Sequence, residues 1–166
     1  MKVLTIIFTF ILITHISNAQ TIKGTYLLGG DASYQTSEGD VIFTLNPNIG
    51  YFVVDKFVTG LSVSYYSYRN TKSIGLNPFL RSYFLTSDRG SAFGGIGVIY
   101  VRQNSNDNIE TLYGYNLKLG YAIFLNRSIA LEASANYANL VDKSPININE
   151  KLFSFNVGFQ IHFNQQ

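Results

Sequence analysis

The chain has no cysteine and no tryptophan, one methionine and three prolines among its 166 residues. Without cysteine there can be no disulfide, no thiolate metal site and no lipid attached to an N-terminal cysteine. Charge is scarce as well: Asp, Glu, Lys and Arg make up 13%, against about 25% in an average composition. No basic run or stripe exists, and the formal charge of +2 falls to about +1 if Lys2 is removed with a leader, so the footprint of a nucleic-acid binder is missing. No run of about 20 apolar residues is present, which excludes an ordinary membrane-spanning helix. Aromatic residues, by contrast, reach 15%, with 13 Phe, 12 Tyr and 14 Gly beside them. Mean hydropathy is nevertheless only slightly positive at +0.11. The apolar residues must therefore be dispersed in alternating patterns.

The first residues read as an export signal. Met1-Lys2 is a short positive region, Val3 to Ile13 a short apolar run, and Ser17-Asn18-Ala19 puts small residues where a signal peptidase reads them. This predicts a cleavable signal peptide over 1–19, with the cut between Ala19 and Gln20, and a mature domain over 20–166.

Beyond it the recurring pattern has period two, punctuated by Gly, Asn, Asp and Ser. Eight strands are predicted at about 23–35, 41–53, 57–69, 73–85, 91–103, 110–124, 127–139 and 151–163. Each is long enough to cross a bilayer at a tilt. Short turns at Val54–Lys56, Thr86–Gly90 and Leu125-Asn126 should alternate with longer loops such as Gln103–Ile109 and Leu140–Glu150. Short turns on one side and longer loops on the other are the habit of membrane barrels. The fold predicted is all-β, an eight-stranded antiparallel transmembrane up-and-down barrel.

The last strand shows its faces most clearly. Phe153, Phe155, Val157, Phe159, Ile161 and Phe163 alternate with Ser154, Asn156, Gly158, Gln160 and His162. Strand six sets Tyr113, Tyr115, Leu117, Leu119, Tyr121 and Ile123 against Gly114, Asn116, Lys118, Gly120 and Ala122. Strand five is too rich in glycine to phase. Alternation alone does not say which face meets lipid, because a soluble lipocalin-like barrel turns its apolar face inward around a ligand. Two features favour lipid. The polar face is mostly Gly, Ser, Asn and Ala, which suit a narrow interior. The four mid-strand charges, Asp31, Arg81, Lys118 and Glu132, balance in sign and fall on that face. A cation facing the bilayer midplane costs about 2–4 kcal/mol, so a membrane would enforce this placement. Lys118 and Glu132, similarly distant from the Leu125-Asn126 turn, are expected to pair across one hairpin. The set reads as a neutral interior network, with an ion path as its functional alternative.

A hairpin-like unit recurs weakly. Leu45-Asn46-Pro47 leads to Tyr51-Phe52, Leu76-Asn77-Pro78 to Tyr83-Phe84, and Tyr115-Asn116-Leu117 to Gly120-Tyr121. The Asn-to-Tyr spacing is five residues in the first and third units and six in the second, which suggests a bulge. Pro47 and Pro78 lack the amide that a ladder needs, so bulges are expected at them. Aromatics near strand ends (Tyr26, Tyr34, Tyr51, Phe52, Tyr66, Tyr83, Phe84, Tyr100, Tyr113, Phe124 and Tyr137) are expected to form interfacial girdles.

With these features the mature chain resembles the outer-membrane β-barrel domain proteins of OmpA/OmpX type. The final strand carries the most specific part of the likeness, Asn156-Val157-Gly158-Phe159-Gln160-Ile161-His162-Phe163. The resemblance implies that Asn156, Gly158, Ile161 and Phe163 are read by the barrel-assembly machinery. Asn164-Gln165-Gln166 follow where many members stop at the aromatic residue. It further implies a bacterial outer-membrane location, outer-membrane lipid as surroundings, a monomer, and a non-enzymatic role in membrane structure or surface interaction.

Catalysis is poorly supplied. His162 is the one histidine of the mature chain, and no Ser or carboxylate accompanies it at a recognisable spacing. One His without Cys cannot build a metal's coordination shell, and the acids Glu38, Asp40, Asp107 and Glu110 lack calcium-loop spacing. No enzyme activity, cofactor or metal is expected. A lumen of eight strands should be filled by side chains. The alternatives are a narrow pore for small solutes and a soluble secreted binding barrel.

Overall fold

The computed structural model describes residues 21–37, 40–68, 71–87, 89–105, 108–142 and 149–164. The signal sequence, with Ala19 and Gln20, lies outside them. Eight strands follow in chain order: β1 Thr25–Ser37, β2 Asp40–Val54, β3 Phe57–Tyr68, β4 Thr71–Phe84, β5 Gly90–Ser105, β6 Asn108–Phe124, β7 Ile129–Asp142 and β8 Asn149–Asn164. Each pairs antiparallel with its neighbour, and β8 closes on β1 from Thr25↔Asn164 to Tyr34↔Phe155. Closure leaves no free sheet edge, which a lipid setting demands. Following ladder partners once round the wall climbs about ten residues along β1, the stagger of strands tilted by roughly 40°.

Period-two patterning decides the faces because successive side chains of a strand point to opposite sides. Leu119 is 62% exposed, Phe155 67% and Val157 68%, whereas Asn116, Ser154 and Asn156 are buried. The apolar face looks outward. Strand five, unphased in the sequence, turns Ser91, Phe93 and Gly97 inward and Ile96, Val98 and Tyr100 outward. Outward aromatics gather at two levels. Tyr26, Tyr51, Phe84 and Phe163 stand near the chain termini, with Tyr26 stacked on Phe163 at 5.5 Å and tilted against Tyr51 at 5.0 Å. Tyr100 and Tyr113 pair at 5.3 Å at the far end. The band between them is about 20–25 Å tall, close to the apolar belt of membrane barrels.

Several expectations need correction. The prolines bring no bulge: the β1–β2, β2–β3, β3–β4 and β4–β5 registers run unshifted past Pro47 and Pro78. Both rings point outward, and each proline is unpaired on one side only, towards β3 for Pro47 and towards β5 for Pro78. A missing amide thus removes a ladder bond without displacing the strand. The one register shift along these ladders falls between Phe52 and Val54, at the turn into β3.

Loop lengths are not asymmetric as predicted. Pairing continues through Gln103↔Glu110 to Ser105↔Asn108 and, within the expected Leu140–Glu150 loop, through Leu140↔Glu150 and Val141↔Asn149; β1–β2 and β3–β4 pair likewise as far as Ser37↔Asp40 and Tyr68↔Thr71. Polar residues outside the apolar band still pair their backbones, since ladder bonds need no apolar side chain. Three of the expected girdle residues are also misplaced. Phe52 and Tyr83 are buried inside the barrel, and Phe124 packs against the same cluster. The side chains of Tyr34 and Tyr66 lie outside the described set.

Candidate functional site

The interior divides into two halves. At the termini end, Leu27, Phe52, Val58, Tyr83, Phe93, Ala122 and Ala130 form one buried cluster, with Phe79 and Phe124 against it. His162 completes it, 5.7 Å from the rings of both Phe52 and Phe124. The chain entering β1 fastens this end from below, through Gly24 N–H to the Phe52 carbonyl at 2.9 Å and Lys56 N–H to the Thr21 carbonyl at 2.6 Å.

Directly above the cluster, Arg81 of β4 crosses the lumen to Glu132 of β7. Its Nη1 donates to both carboxylate oxygens, at 2.9 and 3.1 Å. The Tyr83 hydroxyl donates to Glu132 Oε1 at 3.3 Å and Gln160 Nε2 to Oε2 at 3.3 Å. The guanidinium lies 4.5 Å from the Phe93 ring centre. Inward-facing Gly29, Gly50, Gly60, Gly95, Gly120 and Gly158 stand near this height once the stagger is followed round the wall. Space is their contribution. A Cβ on Gly60 would meet Phe79 Cζ at 2.5 Å, and one on Gly120 would meet Phe93 Cζ at 2.5 Å.

One step higher, Lys118 of β6 reaches Asp31 of β1, Nζ to Oδ2 at 2.6 Å. Asn46 and Asn156 donate to the other oxygen at 2.9 and 3.0 Å. All four mid-strand charges therefore sit inside, but Lys118 and Glu132 are not partners. Lys118 stands opposite Asn136, and Glu132 opposite Ala122. The cause is the turn. It runs from Leu125 to Ser128, not two residues but four, because the Asn126 side chain accepts from the amides of Ser128 and Ile129, each at 2.8 Å. That lengthening slides β7 along β6, and each charge finds its partner across the lumen.

Above the charges the wall turns amide-rich around a cavity of about 210 Å³. Six asparagines line it, Asn46, Asn48, Asn77, Asn116, Asn136 and Asn156, together with Thr44 and four serines. Asn77 Nδ2 donates to Asn116 Oδ1 at 3.0 Å, and Asn116 Nδ2 to Asn136 Oδ1 at 2.8 Å. The first of these bonds passes over Gly97 of the intervening strand, where a Cβ would collide with both amide oxygens. Ile99, Val101, Ala138, Leu140 and Leu152 line the cavity nearer the far end. The filled lumen expected from the strand count describes the termini half alone.

Solved structures match this architecture over nearly their whole length. The N-terminal β-barrel domain of Pseudomonas aeruginosa OprF aligns with a TM-score of 0.69 at 13% identity, covering 85% of this chain and 98% of that one. Neisserial surface protein A gives 0.69 at 16%, again over 85% and 98%. The outer membrane protein OprG of Pseudomonas aeruginosa gives 0.60 at 15%, over 89% and 100%. No protein-family model matches the chain, and no curated protein matches it. The fold is that of small eight-stranded outer-membrane β-barrels.

Within that fold, Asn156 and Gly158 of the last strand face the lumen, where Asn156 holds Asp31 and Gly158 makes room beside it. Phe163 faces outward, and Ile161 shares its side. Sequence reasoning missed Tyr83 as a lumen residue, although the six-residue spacing from Asn77 carried the signal. An even spacing puts both on one face, whereas the five of Asn46-to-Tyr51 sends Tyr51 outside. Among the described residues no group of three His, Asp or Glu could hold a metal.

Proposed function

We propose that this chain is a non-enzymatic integral protein of the bacterial outer membrane, exported by its signal peptide and closed to through-flow at the termini end. The observation that carries this is the seal of Phe52, Tyr83, Phe93, Phe124 and His162 under the Arg81–Glu132 pair. A transmembrane path would have to displace an aromatic cluster and separate a doubly hydrogen-bonded buried pair at once. Outward exposure of residues such as Leu119, Phe155 and Val157 favours lipid over water as the surroundings, and argues against a soluble lipocalin-like barrel.

In this reading the termini face the periplasm and the far end faces outward, where a structural or surface-interaction role would be exercised. Two structures of the same fold carry names of that kind, Neisserial surface protein A and the attachment invasion locus protein of Yersinia pestis, the latter with a TM-score of 0.53 at 13% identity. Asn156, Gly158, Ile161 and Phe163 would present the assembly machinery with its signal before the lumen claims the first two. The mature barrel is proposed to be monomeric.

The test is reconstitution of the mature chain. The folded protein should migrate differently in detergent gels before and after boiling, and planar bilayers should stay electrically silent. Recovery in the soluble fraction without detergent would overturn the membrane reading. Discrete, reproducible conductance would replace the sealed barrel by the narrow pore.

A further inference from the structure

We infer that the amide-lined chamber in the far half of the lumen is a binding site for a small, uncharged solute bearing several hydroxyl or amide groups, of about the size of one sugar ring. The inference goes beyond a structural role but takes the seal below it from the reading above.

Three observations carry it. The chamber of about 210 Å³ lies in a barrel class whose lumen side chains usually just fill, and its walls are built from groups that both donate and accept. Amides and hydroxyls in such number suit a ligand with the same double capacity, since each partner then finds a complement when water leaves. Second, the charges at the floor are spent. Asp31 receives Lys118 on one oxygen and two asparagine amides on the other, and Arg81 is held by Glu132. An ionic ligand would have to break these pairs, while a neutral one need only add to them. Lys118 keeps ammonium hydrogens beyond the one given to Asp31, and its side chain is 18% exposed.

The third observation is Asn48. It lines the chamber, is 7% exposed, and its buried Oδ1 accepts no hydrogen bond from the protein. A buried acceptor without a donor costs free energy, and because this oxygen has almost no accessible surface of its own, a ligand hydroxyl meets it when the Asn48 side chain turns toward the chamber. Nearer the far end, Ile99, Val101 and Leu152 offer an apolar rim, suited to the carbon–hydrogen faces of a ring whose hydroxyls point into the amides.

The experiment uses the folded barrel in detergent micelles, titrated with glucose, N-acetylglucosamine, glutamate and putrescine. Asparagine side-chain amide resonances are followed by NMR, and folding of each variant is checked by the heat-dependent gel shift. Saturable binding of at least one neutral probe is expected, with shifts confined to the chamber's asparagines. Ala138→Phe, which fills the chamber, should abolish it. Asn48→Leu should weaken it about tenfold, the worth of one hydrogen bond. Should Ala138→Phe fail to fold, Asn48→Leu still decides. The inference is overturned if neither neutral probe saturates, if only glutamate or putrescine does, or if binding survives unchanged in the folded variants. Silence in the titration would leave the sealed barrel standing, whereas conductance through the termini end would fail that reading separately.

Discussion

Below the level of Arg81 the lumen is packed with Leu27, Phe52, Val58, Tyr83 and Phe93; above it the wall carries six asparagines around open space. The two halves share one barrel, one strand number and one stagger, so backbone geometry cannot account for the difference. Side-chain volume does. At the termini end, large rings project inward from neighbouring strands and interlock. Around the chamber's middle in the far half the inward positions hold mainly Asn, Ser and Gly, with apolar side chains nearer the mouth, and the asparagine amides bridge along the wall and keep the centre free of side chains. Each half also carries its own ion pair, and these differ in the same sense. The side chains of Arg81 and Glu132 are 5% and 4% exposed, while Lys118 keeps 18% of its surface open to the chamber. A sealed half and a chambered half should therefore answer substitution very differently.

The largest effect is expected at the lower pair. Glu132→Ala would leave the Arg81 guanidinium buried beside aromatic rings without its counter-charge, at a cost of about 3–5 kcal/mol. Urea unfolding in lipid vesicles measures it, and a loss below about 1 kcal/mol would show that the pair does not hold the halves apart. Phe52→Ala comes next, at about 3 kcal/mol, from the cavity it opens in a fully buried cluster. The same unfolding assay applies, and a loss no larger than that of a wall asparagine would erase the contrast between halves. Lys118→Met should cost less, about 1–3 kcal/mol, because Asn46 and Asn156 continue to donate to Oδ1 of Asp31 and the carboxylate whose Oδ2 is freed borders the open chamber. If Lys118→Met destabilised more than Glu132→Ala, the upper pair would be the more tightly held one and the comparison would reverse.

Much of this was legible in the chain because a membrane imposes a two-sided pattern on every strand. Eight strands, the outward set Leu117, Leu119 and Tyr121, and the inward placement of Asp31, Arg81, Lys118 and Glu132 all follow from parity. Partnership within the lumen does not. It depends on register, and one side chain, Asn126, moved the β6–β7 register by accepting two amides in its turn. Hence Lys118 met Asp31, 87 residues away in sequence. The chamber was hidden for a related reason. That its centre is free of side chains is a property of one level round all eight strands, and no single strand records what its neighbours hold at that level. Tyr83 lies between these cases, since its even spacing from Asn77 places both on one face, yet a strand bulge accounts for the same extra residue.

The smallest predicted effect is the most discriminating for the upper half. Gly97 and Gly94 belong to the same strand, three residues apart, and face opposite ways. A methyl group on Gly97 would strike the oxygens of Asn77 and Asn116, where the amide bridge crosses β5; one on Gly94 finds Phe84 Cε1 at 3.4 Å, an ordinary contact. Alanine at either position improves strand propensity equally, so the backbone term cancels between the two. What remains is the bridge. Gly97→Ala should cost about 1 kcal/mol relative to Gly94→Ala, the value of one hydrogen bond between neutral groups. It should also shift the side-chain amide resonances of Asn77, Asn116 and Asn136 together, because the middle residue both accepts from one neighbour and donates to the other. Equal stabilities with unmoved amide signals would mean that the asparagines line the chamber independently. A coupled shift would mean that the wall is a connected belt, which resists collapse into the space it surrounds as the rings at the other end do not need to.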